Sequence, residues 1–286
     1  DTTLPTITAP VNVTATAGAT CTATGIVLGT PVTADNCSVA SVTNNAPTTY
    51  PVGTTTVTWT VTDGSGNVAT ATQVVTVNDT TPPTISAPDN VIVSANNSCV
   101  AINVVLGTPV SADNCVVASV TNDGLSSYPL GVTTVTWTVT DASGNTATAT
   151  QTVTVNDTVL PTIVAPAALT VSSSTTCGVT GLALGTPVAG DNCSVASVTN
   201  NAPTTFPLGT TTVTWTVTDG SGNIQTATQV VTVVDTTAPT VITQNNITTT
   251  AGSTRAAKTI VLAHPVTGDH GCGASVAKKK TNTYTD

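Results

Sequence analysis

Val57, Trp59 and Val61 alternate with Thr56, Thr58, Thr60 and Thr62 without a break. A period of two predicts a strand with one apolar and one wet face. Asp63-Gly64-Ser65-Gly66-Asn67 then predicts a turn, and Val68 to Val77 its returning hairpin partner. Weaker alternation marks an edge strand over Thr6 to Thr16, bent at Pro10. A second strand runs from Thr22 to Leu28 and stops at Gly29-Thr30-Pro31; a third runs from Ser38 to Thr43 and stops at Asn44-Asn45-Ala46-Pro47. Further on, Ala147, Ala149, Val153 and Val155 share a face, with Thr146, Thr148, Thr150, Thr152 and Thr154 on the other. Gln151 then falls on the inner side, where it needs a buried partner or a place near the end of the sheet. About seven short strands per unit, with Gly, Pro and Asn turns and one central Trp, predict an all-β fold of immunoglobulin-like β-sandwiches. Trp59, Trp137 and Trp215, each between inward valines, read as core residues.

The pattern recurs at one constant step, which carries Asp1-Thr2-Thr3 to Asp79-Thr80-Thr81, Asp157-Thr158-Val159 and Asp235-Thr236-Thr237. A step of this length holds one small domain, so the chain is an array of modules. The expected domains are 1–78, 79–156 and 157–234, followed by an incomplete, divergent module over 235–286. The last stops before its Trp hairpin, so either further chain or strands of another subunit would complete it, the latter giving head-to-tail filaments.

Composition narrows the setting. Only 7% of residues are charged, no Glu is present, and all five basic residues (Arg255, Lys258, Lys278, Lys279, Lys280) lie in the last unit. A nucleic-acid partner is excluded by the missing basic patch. Isopeptide cross-links and tryptic sites are excluded from the first three units by the absence of Lys and Arg. No run is long enough to span a bilayer, and no signal-like segment opens the chain, so a mature or excised portion of a secreted protein is expected.

Seven cysteines follow the repeat. Cys21 and Cys37, Cys99 and Cys115, and Cys177 and Cys193 form three equally spaced pairs, and Cys272 stands alone. One disulfide per module is the economical reading, worth about 3 kcal/mol in the chain-entropy account. It implies an oxidising compartment, outside the cell or in a periplasm. A zinc site would need four ligands, whereas each full module has two cysteines and no His.

The string Tyr50-Pro51-Val52-Gly53-Thr54-Thr55-Thr56-Val57-Thr58-Trp59, then Thr62-Asp63-Gly64-Ser65-Gly66-Asn67, closed by Val75-Thr76-Val77-Asn78-Asp79, resembles the HYR (hyalin repeat) module. The resemblance covers the three full units and part of the fourth. It implies an immunoglobulin-like, extracellular, adhesion-associated protein of the kind found as tandem arrays in large bacterial surface proteins. Members often carry cysteines where this chain has Ala9 and Ala71, so that family bridge is missing here.

Catalytic constellations are absent: Gly64-Ser65-Gly66 is a turn, and no paired carboxylates recur at a fixed cleft. His264, Asp269, His270 and Cys272 match no standard metal spacing. Calcium is the better candidate, because Asp63, Ser65 and Asn67 place oxygens at alternate positions and Asp79 sits in the linker. The loop nevertheless lacks the sixth-position Gly and closing Glu of an EF-hand. The Asp-Thr linkers resemble the acceptor for O-linked glycans on exported proteins of Bacteroidetes-type bacteria, which makes Thr2, Thr80, Thr158 and Thr236 candidate glycosylation sites. A coat would keep Val/Thr strands without edge lysines from pairing with one another.

The expected function is a non-enzymatic extracellular stalk or filament on a bacterial surface, used in attachment or gliding, with further repeats or copies of itself as partners. A carbohydrate- or protein-binding adhesin acting through its loops is the alternative. Against it, Tyr50, Tyr128 and Phe206 occupy one recurring position better suited to packing than to a ligand.

Overall fold

The structure is a computed structural model and describes residues 1–173, 177–238, 240–242 and 266–268. Every regular element among them is a β-strand. In the first repeat these are β1 (Thr6–Thr8), β2 (Val13–Thr16), β3 (Thr22–Thr24), β4 (Val32–Ala34), β5 (Val39–Asn44), β6 (Thr49–Pro51), β7 (Gly53–Asp63) and β8 (Val68–Asn78). One sheet has the order β2-β8-β7-β5, and the facing layer consists of the pairs β1-β4 and β3-β6. All pairings are antiparallel except β2 with β8, which is parallel. The segment expected as one bent edge strand therefore splits around Pro10: β1 joins β4, and β2 crosses to β8. Proline offers no backbone N–H, so the ladder is broken where the chain changes sheets.

The alternation read in the sequence is the burial pattern of β7. Val57, Trp59, Val61 and Asp63 are buried, while the intervening threonines are partly exposed. β8 lies against β7 in register from Gly53 opposite Val77 to Thr62 opposite Val68. Tyr50 of β6 and Ala23 of β3 close the core from the opposite layer, with Ile7, Val13, Ile26 and Leu28 packed around it. The second and third repeats reproduce these eight strands at the same step along the chain, to within a residue at their ends. Gly131–Asp141 and Gly209–Asp219 stand where β7 stands in the first. Each repeat is thus an immunoglobulin-like β-sandwich, and Thr240–Ile242 paired with Val266–Gly268 begins the same pattern after Asp235.

The odd polar residue on the inner face has its partner in every repeat. Trp59 Nε1 donates to Gln73 Oε1 at 3.0 Å, and Trp137 and Trp215 donate to Gln151 and Gln229 at 3.1 Å. The recurring aromatic is core as well: Tyr50, Tyr128 and Phe206 are each no more than 3% exposed, so none is offered to a ligand.

The chain divides into two compact units. The first comprises Asp1–Asn96 and Val100–Asn156; the second takes in Asn97–Cys99 together with the chain from Asp157 onward.

Candidate functional site

The chemistry of this chain gathers at the ends of the sandwiches. At one end, the turn after β7 is held by Asp63, whose Oδ1 accepts the amides of Ser65 and Asn67 at 2.8 Å and whose Oδ2 accepts Asn67 Nδ2 at 2.7 Å. Gly66 supplies the left-handed backbone (φ +93°) that lets the turn close. The Asn67 side chain holds the Asp63 carboxyl below its ordinary value, joined by the amides of Asn67, Ser65 and Gly66, and burial opposes them. At Asp141 and Asp219 burial is the largest single influence, but Asn145, Asn223 and the turn amides outweigh it and the shift is again downward.

Asn67 Nδ2 also donates to the carbonyls of Asp1 and Thr3, both at 3.2 Å, so the turn clamps the linker that enters its own repeat. In the second repeat Asn145 does the same to Asp79 and Thr81, and in the third Asn223 does so to Asp157 and Val159. This corrects the grouping expected for a cation. Asp63 and Asn67 spend their hydrogen-bonding groups on the turn and on the linker at Asp1 and Thr3, whereas Asp79 belongs with Asn145 and Asn114 of the second repeat.

The same end carries Cys37. Its amide and that of Ser38 donate to Asp35 Oδ2 at 2.8 and 3.0 Å, and Ser38 accepts Gly64 N–H across to the turn. Cys21 lies at the other end, beside the pairing of Thr22 with Pro51, where Ala17 N–H reaches the Asn78 carbonyl. Between the two ends run the eleven-residue strands β7 and β8, a span of about 33 Å at some 3.3 Å per residue. A disulfide requires Cα atoms within about 7 Å.

The intramodular pairing is therefore corrected. Cys21 bonds to Cys115 of the second repeat, and Cys99 bonds to Cys193 of the third, with Cα separations of 4.6 and 4.7 Å and a sequence separation of 94 in both. Cys177 is disulfide-bonded too, and Cys37 is the free cysteine among the described residues, exposed at the surface. Cys21 and Cys99 both adopt the left-handed backbone (φ 59° and 60°), an uncommon conformation for a residue with a Cβ, in the tight loop that presents the sulfur. Disulfides of this kind belong to an oxidising compartment and agree with an extracellular location.

Beside the Cys21–Cys115 bond, Asn114 Nδ2 donates to the Gly18 carbonyl of the first repeat at 3.2 Å and to Asp79 Oδ1 at 3.3 Å. Asp79 Oδ1 also accepts Thr81 N–H at 3.1 Å. Linker, half-cystine loop and preceding repeat thus meet at one point. Asp113 and Asn114 were not among the sequence candidates; the signal for them is the Asp-Asn-Cys string that recurs at Asp35, Asp113 and Asp191.

The four linker threonines, Thr2, Thr80, Thr158 and Thr236, are all exposed. The cluster His264, Asp269, His270 and Cys272 lies outside the described residues. Among the described residues, no helix is long and apolar enough to cross a membrane.

Fold and site together define a tandem immunoglobulin-like array whose successive sandwiches are joined twice, by a clamped linker and by a disulfide. The HYR domain model matches residues 1–77 and 78–155. The chain belongs to the HYR domain family. It is similar to hyalin of Lytechinus variegatus, 33% identical over 267 residues that cover 87% of this chain and 50% of that protein. It is also similar to hyalin of Strongylocentrotus purpuratus, 36% identical over 225 residues, covering 72% and 19%. The chain spans about half the length of the first relative and about a fifth of the second. Both are sea urchin proteins, so the bacterial setting expected above has no support in them. Among solved structures, mouse cadherin-23 EC22-24 is 14% identical with a TM-score of 0.34, covering 81% of this chain and 99% of that one.

Proposed function

We propose that the chain is a non-enzymatic segment of an extracellular, adhesion-associated stalk or filament, built to transmit tension along a row of sandwiches. The observation that carries this reading is the overlap of the two disulfides. Cys99 precedes Cys115 in the chain, so the bonds Cys21–Cys115 and Cys99–Cys193 close loops that share the stretch 99–115. Followed through both bonds, the covalent path from Asp1 to Asp235 is about a third of the full chain, about 270 Å against about 800 Å at full extension. Such an array resists lengthening even where a sandwich is pulled open. In the chain-entropy account a loop of nearly 100 residues also contributes about 4–5 kcal/mol per bond.

Further repeats of a longer chain, or copies of this one arranged head to tail, are the proposed partners. Cys37 supports this, being the exposed counterpart of Cys115 and Cys193, each of which receives a cysteine from the repeat before it. O-linked glycans on the exposed linker threonines and a bacterial surface used for attachment or gliding belong to the same proposal, and rest on the Asp-Thr linkers.

Single-molecule stretching between residues 1 and 235 tests the mechanical reading. The oxidised chain should stop near the short path, and the reduced chain should reach about three times that length. Equal final lengths in the two states would refute it.

A further inference from the structure

At the Cys21–Cys115 junction, three oxygens are left over once the local hydrogen bonds are counted. Asp113 gives Oδ2 to the amide of Cys115 at 2.7 Å, and its Oδ1 is buried with no hydrogen-bond partner. Asp79 uses Oδ1 for Thr81 and Asn114, while its Oδ2 is buried and unpartnered in a side chain only 7% exposed. Asn114 directs Nδ2 to Gly18 and Asp79, and its Oδ1 is likewise buried without a partner. A carboxylate oxygen from each aspartate and the Cys115 sulfur lie within 4.8 Å of one another. That sulfur is bonded to Cys21, so the available donors are oxygens.

Buried carboxylate oxygens without partners are costly, and two carboxylates at this separation repel. Among the described residues there is no Lys, Arg or His, so none of them brings a positive charge to this point. An all-oxygen donor set excludes the thiolate and imidazole chemistry that selects zinc or copper, and favours a hard divalent cation. The arrangement is built again in the second unit: Asp157, also 7% exposed, has Oδ2 unpartnered, Asp191 has Oδ1 unpartnered, and the two lie within 4.8 Å of each other and of Cys193. In the first repeat the counterparts are Asp1, which is exposed, and Asp35.

We infer that Asp79, Asp113 and Asn114 form a calcium site, and that Asp157 and Asp191 anchor a second. Each ion ties the linker aspartate to the loop that holds the half-cystine, next to the bond that joins the repeats. Calcium is assigned over magnesium because the ligands come from two loops with no octahedral frame, a setting that suits the larger and more tolerant ion.

Isothermal titration of the full oxidised chain with calcium chloride, after treatment with chelator, is the test. Two ions should bind with dissociation constants on the order of 10⁻⁴ to 10⁻³ M, the range of extracellular modules. Asp113→Asn should weaken one of them at least about tenfold and leave the other unchanged. Asp89→Asn, an exposed aspartate outside the cluster, should alter neither. Thermal unfolding of Asp113→Asn in chelator should occur at or above the temperature of the parent, since one of two repelling carboxylates is gone, which separates loss of the ion from loss of the fold. The inference is overturned by no heat of binding at 10-fold the upper end of that range, about 10 mM. Binding that Asp79→Asn and Asp113→Asn leave intact, or magnesium bound as tightly as calcium, would also overturn it.

Discussion

Gln73 accepts the Trp59 indole N–H and donates through Nε2 to the carbonyls of Val11 at 2.6 Å and Leu28 at 2.8 Å. One amide thereby satisfies the core tryptophan of β7, the segment between β1 and β2, and the turn before β4. Gln151 and Gln229 do the same, binding the carbonyls of Asp89 and Leu106, and of Ala167 and Leu184. A buried polar network of this kind is stable when every member is paired and costly when one is removed.

Gln73→Leu should therefore destabilise the first repeat by about 1–3 kcal/mol, because the buried Trp59 indole N–H and two part-buried carbonyls lose their partner together. Hydrogen exchange should register the loss in the amides of β7 and β8 of that repeat. The matching amides of the third repeat should keep their protection.

The turn aspartates make stability depend on acid. Their carboxyls titrate below 3.8 in the folded state, so the unfolded chain binds more protons as the pH drops. The contribution is complete above about pH 5 and is lost as the pH falls through 4 toward the lowered native values. Asn145→Ala should raise the Asp141 carboxyl toward its ordinary value, and should also free the linker carbonyls of Asp79 and Thr81. Carboxyl titration by NMR together with melting temperatures from pH 6 to pH 2 would show both effects.

Peptide mapping of the unreduced protein should recover Cys21 linked to Cys115 and Cys99 linked to Cys193. In the isolated chain, with no further repeat or copy joined to it, Cys37 should react with iodoacetamide before any reductant is added. A Cys21–Cys37 peptide would contradict the geometry outright. Cys115→Ser should lower stability by about 2–5 kcal/mol, the usual cost of losing a native bridge.

Glycans on the linkers should appear as intact mass above the 28.2 kDa of the polypeptide. Substituting Thr80 and Thr158 by Ala should remove mass in equal steps. A native mass equal to the bare chain would leave the strand edges without the proposed coat.

The sandwich is legible in the sequence because a single strand declares both of its faces. The Val57-Trp59-Val61 alternation, the Asp63-to-Asn67 turn and the displaced glutamine all stand in the sequence as they stand in the fold. β4 and β6, three residues each, are not legible, since runs so short carry no period and exist only because β1 and β3 are there to pair with them. The disulfide partners are hidden for a reason particular to repeats: Cys37 and Cys115 occupy the same place in successive modules, so the pattern offers both to Cys21 equally. Strand length decides between them, because Cys21 and Cys37 sit at opposite ends of an eleven-residue ladder. The Asp79 cluster stays hidden because it brings that linker residue to Asp113 and Asn114, far along the chain, a contact that the sheet order creates.

The shared stretch between Cys99 and Cys115 also governs how the molecule responds to damage. A single backbone cut anywhere from residue 22 to residue 192 leaves every fragment attached, because each side of the cut remains bonded to the other through Cys21–Cys115 or Cys99–Cys193. Two cuts, one before Cys99 and one after Cys115, still release nothing. Between Cys21 and Cys193, a protease would have to cut within the overlap and again on each side of it, or be joined by a reductant, before the strand parted.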